Sequence, residues 1–218
     1  SGQLKKWIDA GVTGITSNPT IFQKALAGSR DYDESLRALL ARGVRGDREL
    51  FFHLAIEDIA QAADILRPVY ESTEGLDGYV SIEVSPDLAD DTEKTVAEAR
   101  HLFSAIARKN ILIKVPATRQ GIPAIETLTA EGINVNVTLL FSVKRYEEIA
   151  WAYIRGLEKR AARVLPFGEI ASVASFFVSR VDTLVDKLLE TLLAAPRPDA
   201  EKKRLKNLQG RAAVANAA

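Results

Sequence analysis

Five short runs rich in Val, Ile and other β-formers alternate with longer amphipathic stretches, and this alternation constrains the fold more than any other feature. The runs cover residues 14–16, 78–84, 110–115, 133–141 and 170–178, each beside Gly, Pro, Asn or Ser. Between them the apolar spacing is helical. Tyr146, Ile149, Ala150, Tyr153, Ile154 and Leu157 fall on one face, as do Val181, Leu184, Val185, Leu188, Leu189 and Leu192. Asp90 with Glu93 has capping-box spacing ahead of a helix through Val96, Leu102 and Phe103. Residues 47–66 read as a further helix, and 34–40 as another. Strand then helix, repeated, predicts parallel strands joined by right-handed crossovers, hence an α/β fold.

Two α/β architectures compete. In an open doubly wound sheet the central strands are apolar on both faces, because helices cover both. In a (β/α)8 TIM barrel one face meets the helices and the other looks into the barrel, where polar groups are tolerated. In the run 133–139, Ile133, Val135, Val137 and Leu139 share one face, and Asn134, Asn136 and Thr138 the other. The run 79–84 repeats this, with Tyr79, Ser81 and Glu83 opposite Val80, Ile82 and Val84. The pattern favours the barrel, with the open sheet as the alternative. A full barrel has eight strands and five runs are visible, so the expectation is an incomplete barrel whose first strand and last two lie outside the sequence. The 218 residues then form a single domain with a helical insert at about 20–77.

Composition narrows the function. Lys plus Arg balances Asp plus Glu at 29 each, which argues against a dedicated nucleic-acid or membrane-surface protein. No apolar run approaches the roughly eighteen residues of a membrane span, and no secretory leader is recognisable at Ser1. With no Cys and only His53 and His101, disulfides, thiolate catalysis and Cys- or multi-His-ligated metals are excluded. A cytoplasmic protein that needs no metal or organic cofactor is expected, its oligomeric state open, homodimer included. Methionine is absent even at position 1, so the string is expected to be processed or excerpted.

Several polar residues are not needed by the fold. Lys114 stands among Ile111, Leu112, Ile113 and Val115. An ammonium in apolar surroundings loses hydration, which favours the free amine as a nucleophile toward carbonyls. A lysine snorkelling from a strand end to water would look the same. Glu83 is a carboxylate on the polar face of a mostly buried strand, either a structural ion-pair partner or an acid/base. Asn136 and Thr138 suit buried hydrogen bonding or substrate contact. Arg180, five residues after Ser175 and opening a helix, suits a phosphate or a partner at Asp182 or Asp186. Asn18, Glu83, Lys114, Asn136, Thr138 and Ser175 all fall near the C-terminal ends of predicted parallel strands, the face where barrel enzymes carry their chemistry. Together they suggest Schiff-base carbon–carbon chemistry on a phosphorylated sugar.

The stretches GVTGITSNPTIF at 11–22, ILIKVPAT at 111–118, NVNVTLLFS at 134–142 and SVASFFVSRVD at 172–182 closely resemble transaldolases of the larger bacterial type. The segment around Asn18 alone would indicate the wider family, which includes small fructose-6-phosphate aldolases. The resemblance implies that Lys114 forms the Schiff base with the donor ketose, and that Glu83 works with Thr138 through a water in proton transfer. It also implies that Asn18, Asn136 and Ser175 bind substrate and that Arg180 is one of two phosphate-binding arginines. The implied reaction belongs to the pentose phosphate pathway. It moves a dihydroxyacetone unit from sedoheptulose 7-phosphate to glyceraldehyde 3-phosphate, without metal or cofactor. The family's acid/base aspartate on its first strand, and its second phosphate-binding arginine, have no counterpart in these residues. Activity is therefore expected of a longer parent rather than of the 218-residue piece. An aldolase releasing free dihydroxyacetone, and a non-catalytic sugar-phosphate binder, are the alternatives.

Overall fold

All five β-rich runs are strands. The structure, a computed structural model describing residues 2–217, has β1 (Ile15–Thr16), β2 (Val80–Glu83), β3 (Ile111–Pro116), β4 (Val135–Leu140) and β5 (Ser172–Phe176). They pair in the order β1-β2-β3-β4-β5 and every pairing is parallel. A doubly wound sheet reverses its strand order at a switch point. Here each strand adds beside its predecessor, as in a barrel, so the open-sheet alternative falls.

The sheet is also curled. Asn136 on β4 donates through Nδ2 to Ser81 Oγ on β2, 3.0 Å away and across the intervening β3. Strands two apart in a flat sheet are separated by about 9.5 Å, more than these two short side chains can span while standing upright. The face they share is therefore concave, and the five strands form a half-barrel.

Burial explains the two faces. Val80, Ile82 and Val84, then Ile111, Ile113 and Val115, then Val135 and Val137 point outward into one apolar cluster. The helices answer with Ala63 and Leu66, Ala99 and Leu102, and Ala124, Ile125 and Leu128. Burying each such aliphatic side chain stabilises the fold by about 1.5–3 kcal/mol.

Ten α-helices are assigned among the described residues, besides a short 3-10 turn at Pro86–Leu88. They are α1 (Gly2–Asp9), α2 (Pro19–Gly28), α3 (Asp33–Ala41), α4 (Asp47–Ser72), α5 (Thr92–Ile106), α6 (Gly121–Glu131), α7 (Val143–Ala162), α8 (Ser179–Ala194), α9 (Asp199–Lys206) and α10 (Ala212–Ala217). α2, α3 and α4 all lie between β1 and β2. Side-chain oxygens cap α2, α5 and α7: Asn18 accepts from Ile21 N, Asp91 from Lys94 N and Ser142 from Arg145 N.

Three sequence expectations are corrected. Asp91, not Asp90, caps α5. α4 runs past Pro68 to Ser72, its last turn held by Val69 against the core and by Tyr70 packed edge-on to Tyr79. Leu139 does not continue the apolar face of β4. Its φ is 59°, the β4–β5 register shifts between Val137 and Leu140, and Leu139 is 42 % exposed while Leu140 is fully buried. A bulge inserts one residue and reverses the alternation beyond it. α6 carried no amphipathic signal because it is sunk on several sides, with Gly121, Ala124, Ile125, Leu128, Thr129 and Ala130 all buried.

Gly78 enters β2 with φ +82°, and a Cβ there would lie 2.3 Å from the Tyr70 backbone nitrogen. Gly78→Ala should lower unfolding stability by about 3 kcal/mol, combining left-handed strain with overpacking. Gly28→Ala, with open space around its Cβ, should be neutral or stabilising by up to about 1 kcal/mol. Urea denaturation of the two variants measures the difference.

Candidate active site

Parallel pairing in register brings the polar residues together. Glu83 on β2 pairs with Lys114 on β3, and Lys114 with Asn136 on β4. Residues paired across neighbouring strands share a face, so all three point into the concavity. Pro116 pairs with Thr138 two positions further along, which puts Thr138 on the same face nearer the C-terminal edge.

Lys114 is 8 % exposed. Its Nζ lies 3.4 Å from Glu83 Oε2 and donates to the Ser17 carbonyl at 2.8 Å. The apolar enclosure expected from its neighbours is thus half right. Ile111, Ile113 and Val115 face the helices, whereas the Lys114 nitrogen meets a carboxylate and a carbonyl in place of water. Ser17 is the residue that sequence reasoning missed here. Its role rests on a backbone carbonyl, which no side-chain pattern announces. Its own hydroxyl donates to Ser81 O at 2.8 Å, fixing the chain after β1 to β2.

Thr138 is buried, and its Oγ1 has no hydrogen-bond partner. A buried hydroxyl normally finds one, so this atom can take a water or ligand without displacing an internal bond. Asn136 is buried and anchored at both ends of its amide, with one N–H of Nδ2 on Ser81 Oγ at 3.0 Å and Oδ1 accepting from Ser175 Oγ at 2.9 Å. A cavity of 610 Å³ reaches Ser81, Asn136 and Leu112 from below and is also lined by Tyr79 and Tyr153. Burial foremost pushes the Tyr79 phenol up to about 12 and also raises that of Tyr153, keeping both neutral donors over the physiological range.

Of the remaining sequence-derived residues, Asn18 borders the cluster, lining a small pocket with Ser17 and Glu83, and Arg180 stands apart from it. Asn18 follows β1, and its Oδ1 caps α2 at 2.8 Å; among the described residues its Nδ2 makes no bond. Arg180 sits in the first turn of α8, exposed, its guanidinium 4.3 Å from the Phe177 ring centroid, and Phe177 in turn stacks on Phe141. The internal ion pair with Asp182 or Asp186 does not form. Asp182 accepts from Ala213 N and Asp186 from Gly210 N, tying α10 and its approach to α8. Arg180 has no carboxylate partner among the described residues, so its charge is available to an anion.

Fold and site together define a curled half-barrel of the (β/α)8 type that gathers polar side chains on its concave face, toward the C-terminal edge of the parallel strands. The family model described as "Transaldolase/Fructose-6-phosphate aldolase" matches residues 2–218. The chain is 49 % identical over 221 residues to a transaldolase of Trichodesmium erythraeum, covering 100 % of this chain and 57 % of that protein. It is 50 % identical over 222 residues to transaldolase 2 of Nostoc punctiforme, with coverage of 100 % and 57 %. For a transaldolase of Saccharopolyspora erythraea the identity is 51 % over 218 residues, with coverage of 100 % and 56 %. The chain belongs to the transaldolase/fructose-6-phosphate aldolase family, and it spans just over half the length of these curated relatives.

Thr138→Val is nearly isosteric and removes a buried hydroxyl that satisfies no bond. Thermal and urea unfolding should show stability unchanged or raised by about 1 kcal/mol, since the desolvated polar atom is gone. A loss of 2 kcal/mol or more would mean that Oγ1 has a partner.

Proposed function

We propose that the protein carrying this chain is a transaldolase of the pentose phosphate pathway. It transfers a dihydroxyacetone unit from sedoheptulose 7-phosphate to glyceraldehyde 3-phosphate through a Schiff base on Lys114. The observation that carries this reading is the Lys114 nitrogen, buried on the concave face 3.4 Å from Glu83, in a chain whose relatives are named transaldolases.

In the proposed sequence Lys114 gives up a proton and its amine adds to the C2 carbonyl of the ketose. The resulting alcohol leaves as water, and an iminium remains. The C3–C4 bond then breaks, its electron pair passing into the iminium to give an enamine, while the C4 hydroxyl loses its proton and erythrose 4-phosphate departs. The enamine attacks the aldehyde of glyceraldehyde 3-phosphate, and water hydrolyses the new imine to release fructose 6-phosphate and free Lys114. Glu83 and Thr138, with a water between them, move the protons at nitrogen and at the departing oxygen. The unsatisfied Thr138 Oγ1 supports that role. The base for the C4 hydroxyl is a role we assign to no residue of this chain.

Asn136, Ser175 and Asn18 bind the donor hydroxyls in this reading, and Arg180 holds the phosphate. We take the chain as one barrel-type domain with a helical insert at residues 20–77, acting in the cytoplasm. The family description also covers fructose-6-phosphate aldolases, and that keeps a second reading in play: water rather than an aldehyde ends the cycle, and free dihydroxyacetone is released.

Borohydride added with fructose 6-phosphate should attach a three-carbon unit to Lys114, located by peptide mass spectrometry. Lys114→Ala and Lys114→Arg should both abolish labelling and turnover, the latter while keeping the charge opposite Glu83. Absence of label on wild-type protein with substrate bound removes the Schiff-base reading. Equal rates with and without erythrose 4-phosphate as acceptor would favour the aldolase.

A further inference from the structure

We propose that Ser81 is a positioning residue that holds the Asn136 amide in the one orientation useful to a bound donor, an inference that rests on the transaldolase reading above. Ser81 lies on the same face of β2 as Glu83, two residues earlier, and is buried. Its Oγ accepts from Asn136 Nδ2 at 3.0 Å. Ser81 pairs with Leu112, and Asn136 with Lys114, so this bond crosses β3 at the level between those two residues.

An asparagine amide rotates easily about its last side-chain bond, so one anchor leaves it free to swing. Asn136 has two anchors from opposite sides of the half-barrel, Ser81 on β2 and Ser175 on β5. The amide has two N–H donors and one carbonyl oxygen; one N–H donates to Ser81 and the oxygen accepts from Ser175. The second N–H is left as the donor for a ligand. Without Ser81 the amide loses one anchor, a desolvated N–H is left unpaired, and the remaining donor is no longer aimed.

The test uses the protein carrying this chain with Ser81→Ala, Ser81→Thr and Asn136→Ala, singly and as the Ser81→Ala/Asn136→Ala double variant. Ser81→Ala should lower kcat about tenfold, the size of one net hydrogen bond, with KM for glyceraldehyde 3-phosphate unchanged. Ser81→Thr, which keeps the hydroxyl, should restore most of it. In the Asn136→Ala background Ser81→Ala should have no further effect, because its target is gone. An equal fall in both backgrounds, an unchanged kcat, or a threonine variant as slow as alanine overturns the proposal. The side-chain amide of Asn136 supplies a second readout by nitrogen–proton NMR: slow exchange in wild type and Ser81→Thr, fast in Ser81→Ala. Wild-type protein without turnover or label at Lys114 would sink the transaldolase reading, while the amide signals would still show whether the clamp exists.

Discussion

Glu83 and Lys114 face one another at matched positions of neighbouring parallel strands, and the concave side of the half-barrel is organised around that pair. A buried ammonium is costly unless something replaces its water. Here the replacement comes from a carboxylate on β2 at 3.4 Å and a carbonyl after β1 at 2.8 Å. Three consecutive strand positions in the sheet order thus meet at one nitrogen. A slip of one residue in the β2–β3 register would turn either Glu83 or Lys114 into the apolar layer under the helices, where neither charge has a partner. The ion pair and the hydrophobic cluster therefore enforce the same register from opposite faces.

Around this pair the interior is polar and largely bonded internally. Ser17 is tied to Ser81 O, Asn136 spans Ser81 and Ser175, and lower down Asn134 bonds the carbonyls of Lys109 and Ile111 and accepts from Ala171 N. Buried polar networks rigidify when every member is satisfied. Of the two buried side-chain oxygens without a partner among the described residues, Thr129 Oγ1 lies on α6 and Thr138 Oγ1 on this face, the latter beside Pro116 in the register and close to the lysine's strand. A bonded floor with an open hydroxyl at Thr138 is an arrangement suited to holding a water at a defined place.

The outer layer does different work. Glu98 accepts from Ser85 N and pairs with Arg48, which fastens the start of α4 to the loop after β2. The buried Arg160 guanidinium bonds the Ala130 and Pro166 carbonyls, closing the end of α6, where Gly132 at φ +90° leaves room for it. Gly156 lets α7 approach Thr129 of α6, where any Cβ would lie 2.6 Å from the threonine Cβ. These contacts set the helix shell that the apolar strand faces pack against.

Much of this was legible in the chain itself. The five β-rich runs, the two-faced alternation of 79–84 and 133–138, and the helical spacing of α7 and α8 follow from side-chain geometry, which depends only on local period. That Glu83, Lys114, Asn136 and Thr138 lie near one end of their strands is equally local. What the sequence could not contain is register. Only pairing across strands that are distant in the chain puts Lys114 between Glu83 and Asn136, and only the curl of the sheet lets Asn136 reach Ser81. The bulge that takes Leu139 out of the apolar layer, the Ser17 carbonyl under the lysine and the stacking of Arg180 on Phe177 are tertiary decisions too. Each depends on which backbone or ring happens to arrive alongside, and no residue type announces that in advance.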